Sequence, residues 1–302
     1  MSEEINKVEY SGRGMAIYSH INEDIFRTID TGTVRTVYFA YAYRGREDYP
    51  DENDIRLLNT FFRTNKHITM HIGKTWMIPL LPEAECFDFS KYREEEVELL
   101  KDNTVRKLHF SHSGDRKTDL TALLPFGDTL ESIRLNASQY RPHDKVEIML
   151  NGMKKLKELY MVSVKIDFSK LNENRSVEKF RFDGSKITDW SGIVKFRGLK
   201  DMVVRNSTTM SDLDFLRDMP CLETAQFWWC SNIIKFPDLS HLKHLKMIYA
   251  TECKRLYDVE ELKKLKGVSV HADGASLPGR SYNSPETADG WSDNPPRPDA
   301  DW

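Results

Sequence analysis

Apolar residues return at positions 0, 3 and 5 of a unit that repeats eight times between Val105 and Asp273, with polar or mixed residues between them. In one-letter code the units read VRKLHFSHS, LESIRLNAS, LKELYMVSV, VEKFRFDGS, LKDMVVRNS, LETAQFWWC, LKMIYATEC and LKGVSVHAD, starting at Val105, Leu130, Leu156, Val177, Leu199, Leu222, Leu245 and Leu265. Alternation at positions 3 and 5 is the period of a strand with one buried face. Successive starts lie 20 to 26 residues apart, the length of one coil of a solenoid, in which neighbouring coils bury each other's apolar positions. The pattern predicts one strand per coil, stacked in parallel, with positions 3 and 5 inward and positions 2, 4 and 6 outward.

The ninth position of each unit holds Ser113, Ser138, Val164, Ser185, Ser207, Cys230, Cys253 and Asp273, small and polar in all but Val164. With this position included, the units resemble the leucine-rich repeat, L-x-x-L-x-L-x-x-N/C, over 105–273, more than half of the chain. The stretch I-T-D-W-S-G-I from Ile187, followed by F-R-G-L-K, is similar to the short bacterial, internalin-type repeat. The resemblance implies a curved α/β solenoid of eight to eleven coils, with a parallel concave sheet and short helices or irregular turns opposite it. It also implies that the ninth residue bonds backbone as the chain leaves the strand. That role assigns Cys230 and Cys253 to the turn rather than to a metal or redox site.

Three weaker windows, VRTVYFAYA from Val34, NKHITMHIG from Asn65 and AECFDFSKY from Ala84, extend the array to 34–273 as one continuous domain. The interval of 31 between the first two contains D-E-N-D-I-R-L-L-N-T-F-F, where Ile55, Leu58 and Phe62 form a helical stripe behind an Asp-rich start. This predicts a helical insertion near 51–64. Residues 1–33 are expected to cap the first coil, with Asn22 at the start of a short helix, because an uncovered coil would present its apolar face to water. From Gly274 to Trp302 the repeat gives way to five prolines and five acidic residues. Proline lacks the amide a parallel ladder needs, so no further coil is expected there; a disordered tail and a docked cap using Tyr282, Trp291 and Trp302 both remain open.

A net charge of −3, from 44 Lys and Arg against 47 Asp and Glu, argues against binding nucleic acid or another polyanion. The N-terminal MSEEINKVEY has no apolar leader, and no run approaches the roughly 20 apolar residues that span a bilayer. The expectation is a soluble, cytoplasmic protein. Four cysteines among 302 residues are too few for a disulfide framework.

Outward positions of the central and C-terminal coils carry Arg134, Tyr160, Arg181, Arg205, Trp228 and Tyr249, residue types that anchor protein interfaces. Trp229 adjoins Trp228, and neighbours on a strand face opposite ways, so one of the two is expected to face a partner. The alternative is that the aromatics cover the sheet and Trp229 packs into the following turn. Chemistry is poorly represented. His67 and His71 form HxxxH, but with strand-like neighbours that would hold them about 13 Å apart; His241 and His244 flank Leu242 and are expected in solvent. One arrangement resembles an active site: His67 and Cys86 share position 2, and Asp88 and His109 share position 4, of consecutive coils. An imidazole beside a thiol is chemically competent, yet the open sheet offers no evident oxyanion donors. The expected function is therefore non-enzymatic binding of another protein on the concave face, without metal or cofactor. A bacterial inhibitor or immunity protein that masks a toxin or enzyme is the favoured role, a scaffold joining two partners the alternative.

Overall fold

A computed structural model describes residues 8–18, 20–39, 50–113, 118–137 and 143–285. The chain divides into two compact units, Met1–Leu159 and Tyr160–Trp302. In the first, β1 (Val8–Ser11) and β2 (Gly14–Ile17) form an antiparallel hairpin. A parallel ladder then runs from β2 through β3 (Thr36–Phe39), β4 (Thr69–Ile72), β5 (Cys86–Phe89) and β6 (Lys107–Phe110) to β8 (Ser132–Asn136). A separate short pair joins β7 (Thr118–Asp119) to β9 (His143–Asp144). Strand β10 (Glu158–Val162) lies at the division. In the second unit β11 (Lys179–Asp183), β12 (Asp201–Arg205), β13 (Thr224–Trp228), β14 (Met247–Thr251) and β15 (Ser269–Asp273) are parallel, and β16 (Ser281–Asn283) closes the ladder antiparallel to β15.

The connections between clear strands are compact, 17 residues from β11 to β12 and 18 from β12 to β13, as the short repeat requires. Helices α1 (Glu23–Thr28), α2 (Glu52–Thr64), α3 (Glu94–Glu98), α4 (Val146–Gly152) and α5 (Glu260–Lys263) are supplemented by 3-10 turns. Asn22 caps α1 by accepting from the Asp24 amide. The expected insertion is α2, which opens with a capping box between Asp51 and Asp54 and buries Ile55, Leu57, Leu58, Phe61 and Phe62. Asp54 also accepts from the Ile21 amide at 2.9 Å and meets His20 Nδ1 at 2.8 Å, fastening the N-terminal cap to the helix. Among the described residues no helix is long and apolar enough to cross a membrane.

Positions 3 and 5 point inward in every clear repeat. Leu135, Leu159, Phe182, Val204, Phe227 and Ala250 are fully buried. Two windows need moving. Thr69 pairs with Thr36 and Cys86, and Ser269 pairs with Met247, so the coils read from Asn65 and Leu265 begin two residues later than the pattern suggested. A shift of two leaves every side chain on the same face, which is why alternation alone did not resolve it. The C-terminal segment does not disperse at Gly274: β16 forms, and the Ser284 hydroxyl donates to the Val268 carbonyl while accepting from the Val270 amide. Trp291 and Trp302, and Ala40 and Ser138 of the repeat windows, lie outside the described residues.

The residue directly after the first apolar position alternates in sign over four coils of each unit. In the first unit Glu85, Arg106, Glu131 and Lys157 follow one another at 3.6, 3.0 and 2.9 Å. In the second the series is Glu178, Lys200, Glu223 and Lys246, with Glu178 and Lys200 3.1 Å apart. Each exposed pair adds little alone, but every rung matches opposite charges on adjacent coils.

Candidate partner-binding face

Outward side chains of the second unit stack on each other across the ladder. The Arg181 guanidinium lies 5.1 Å from the Tyr160 ring centre, and that of Arg205 lies 5.4 Å from Trp228. Trp228 meets Tyr249 at 4.7 Å, and Tyr249 stacks on His271 at 4.7 Å. Parallel strands stand about 4.8 Å apart, the thickness these rings fill by lying flat. The expectation that position 4 and 6 residues are open to solvent therefore needs correcting. Tyr160, Val203, Arg205, Trp228 and Tyr249 are all buried, because neighbouring coils cover what the strand itself leaves exposed. Arg181 is half-buried, and Arg134 belongs to the first unit, where it lies opposite His109.

Trp229 differs from the rest. At 47% exposure it is among the most open large apolar residues described. It follows β13 directly, and its φ of 55° is left-handed. The equivalent residues after β10, β11, β12 and β14 are Ser163, Gly184, Asn206 and Glu252, all at positive φ. This recurring conformation swings the amide onto the next coil: Ser163 donates to Asp183, Gly184 to Arg205, Asn206 to Trp228 and Trp229 to Thr251, at 2.7–2.9 Å. Glu252 donates to the Asp273 carboxylate instead. Burial pulls that carboxyl upward, but hydrogen bonds with His271, Thr251 and the Glu252 amide outweigh it and leave the pKa below its ordinary value.

The ninth residue then turns inward in the manner the repeat requires. Ser207, Cys230 and Cys253 are wholly buried, and the Cys230 thiol lies 3.6 Å from the Val204 carbonyl of the preceding coil. Strand, left-handed turn and buried small residue recur together in successive coils. The fold is a leucine-rich-repeat solenoid. Among solved structures, the solenoid is similar to a chain of the Toll–Spätzle complex from Drosophila, with 11% identity and a TM-score of 0.55 over 90% of this chain and 39% of that one. An internalin, InlF, from Listeria monocytogenes is 12% identical, with a TM-score of 0.45 over 85% and 86% of the two chains. The leucine-rich repeat domain of the type III effector XopL is 14% identical, with a TM-score of 0.44 over 79% and 84%. No family model matches the sequence, and no curated protein matches it.

The solenoid does not assemble the Cys86 and His67 pair. With the second weak coil shifted by two residues, Thr69 rather than His67 stands beside Cys86. The Cys86 thiol donates to the Lys66 carbonyl, and His67 Nε2 lies near the Thr31 carbonyl. His71 instead meets Asp88 at 2.8 Å. Burial pushes the Cys86 thiol up to about 11 and that of Cys230 up to about 12, and Cys253 is raised further by the same cause. A thiolate, the reactive form, is thus disfavoured at all three. Brief alkylation of the native protein at pH 7.5 should modify Cys221, the only one of the four cysteines that is not buried. Peptide mass spectrometry finding Cys86 labelled at a comparable rate would contradict this.

Proposed function

We propose that the second unit binds another protein at the strand-exit end of its outward face, with Trp229 as the anchor. The observation that carries this reading is the conjunction of exposure and strain at one residue. Gly184 and Asn206 hold the left-handed position at little cost, and Ser163 and Glu252 hold it with polar side chains. A tryptophan there carries a backbone cost of about 1–2 kcal/mol and leaves its ring in water at 47% exposure. The turn itself serves the fold through the Trp229 amide bond to Thr251, but the exposed indole adds nothing to folding, and strained residues concentrate at functional positions. Beneath it, Trp228, Tyr249 and His271 form a stacked platform that holds the ring's neighbours rigid, which limits the entropy lost on binding.

On this reading the protein performs no chemistry of its own and acts by occupying its partner, as an inhibitor or immunity protein does. The structure whose fold it shares at a TM-score of 0.55 is of a protein complex. The test uses affinity capture from the source cell with wild type and Trp229→Asn, followed by calorimetry on the captured protein. Trp229→Asn should weaken binding by about 2 kcal/mol or more, while unfolding within about 0.5 kcal/mol of wild type because Asn accepts the left-handed turn. Alanine at His241 or Lys243, both exposed, should change affinity by less than about 0.5 kcal/mol. Equal binding by the Trp229 variant rejects the anchor.

A further inference from the structure

The outward face of the first unit carries two cations that no carboxylate answers. Strand register sets Lys107 of β6 beside Ser132 of β8 and, two residues on, His109 beside Arg134. The residues alternating with them, Leu108, Ile133 and Leu135, are wholly buried, so these four share the opposite side of the sheet. Lys107 and Arg134 are half-buried and stand diagonally across the ladder. One strand spacing and two residues of rise separate their main chains by about 8 Å, a gap that two long side chains close on a single small ligand. Neither makes an ion pair or a side-chain hydrogen bond among the described residues. The carboxylates around them are engaged elsewhere: Asp88 of β5, beside His109, meets His71 at 2.8 Å, and Glu85 and Glu131 pair with Arg106. Glu158 of β10 pairs with neither cation.

Both charges bear on His109 instead. Burial first, then Lys107 and Arg134, hold this imidazole well below its ordinary pKa, so it stays neutral and offers neither cation a counter-charge. Two like charges held close without one repel. A second observation comes from Ser132, which adjoins Lys107 across the ladder and Arg134 along the strand. It is 7% exposed and its hydroxyl has no hydrogen-bond partner, while the alternation that sends Ile133 into the core turns Ser132 to the outward face. Two cations and a hydroxyl donor suit an oxyanion. Charge selects among oxyanions, because a phosphate monoester carries about −1.5 to −2 at neutral pH and three acceptor oxygens, whereas a carboxylate offers a single charge and two. A guanidinium pairs with two phosphate oxygens in parallel, and an ammonium adds a point charge to the third.

We propose that Lys107 and Arg134 form a binding site for a phosphate monoester, with the Ser132 hydroxyl as a third donor. The site does not depend on the Trp229 anchor. The full chain is titrated by calorimetry at pH 7.5 and low salt with N-acetyl-phosphoserine methylamide, with glycerol phosphate, and with N-acetyl-glutamate methylamide as the singly charged counterpart. The tighter phosphate probe should saturate below about 5 mM and bind about tenfold more strongly than the glutamate derivative. Lys107→Met and Arg134→Gln should each weaken it about tenfold, and Ser132→Ala about threefold. Lys101→Met, which removes an ammonium paired with Glu98 at 3.5 Å, should leave it unchanged. Each cation variant relieves a repulsion, so it should melt no lower than wild type, which separates a lost ligand contact from a lost fold; the second keeps the test valid if the first does not fold. Stronger binding of the phosphoserine derivative assigns the phosphate to a modified protein side chain, and stronger binding of glycerol phosphate assigns it to a small molecule. Absence of saturation by both phosphates, equal or tighter binding of the glutamate derivative, or unchanged affinity in any of the three site variants would each overturn the proposal.

Discussion

Phe182→Ala is expected to destabilise the protein by about 3–5 kcal/mol, from lost burial and the cavity left behind. Phe182 is fully buried at position 5 of its coil, stacked at 6.3 Å on Phe180 and edge-on at 5.5 Å to Trp190. The site cannot easily collapse, because parallel strands on both sides and the turn carrying Trp190 fix its walls. Chemical denaturation of the variant measures the loss, and a value below about 1 kcal/mol would show that the inward register is wrong. Repeat proteins transmit stability between neighbouring coils, so the effect should extend to hydrogen-exchange protection in β11 and β12.

Acidification from pH 7 to pH 4 is expected to remove up to about 3 kcal/mol of stability through His143. Burial lowers this histidine from its ordinary value of 6.5 to about 4, against the opposing hydrogen bond to the Asn136 carbonyl. Above pH 6.5 the ring is neutral in both states and contributes nothing to the slope. Below it the unfolded chain takes up a proton that folded His143 refuses, and some 2.5 pH units at about 1.4 kcal/mol each give the figure. His109 is pushed the same way by burial and by Lys107 and Arg134, and steepens the same window. The carboxyls of Asp119 and Asp167, held at about 2 chiefly by hydrogen bonds from Lys145 and Ser169 respectively, retain their charge until lower pH. Urea unfolding at several pH values tests this: His143→Gln should flatten the slope between pH 6.5 and 4.5, and an unchanged slope would contradict the assignment.

The repeat, its strands, the insertion helix and the inward core were legible because each rests on an interaction within one coil or between adjacent coils of similar sequence. Leu159 and Phe227 announce themselves by alternation, and Asp51 by its place before a helical stripe. The candidate site was harder to read. Alternation states which way Trp228 points but not what the next coil places over it, so Tyr249 and Arg205, which bury it, were counted beside it as open contacts. Trp229 was recognised as a candidate, but its left-handed backbone becomes visible only when it is aligned with Gly184 and Asn206 at the eighth position of their coils. That column, Ser, Gly, Asn, Trp and Glu, held the signal. The cap formed by β16 was obscured by the prolines, since Pro278 precedes the strand and Pro285 follows it, leaving Ser281–Asn283 between them free to pair.

The alternating rungs from Glu85 to Lys157, and again from Glu178 to Lys246, have a bearing on how such a chain can change length. Excising one coil would bring Glu85 against Glu131, or Lys200 against Lys246, turning an attraction into a repulsion of similar size. Removing or duplicating two consecutive coils restores the order of signs. In effect the ladder keeps a parity count, so the array can grow or shrink within either unit by pairs of repeats, while a single-repeat deletion is marked at its junction by two like charges facing each other.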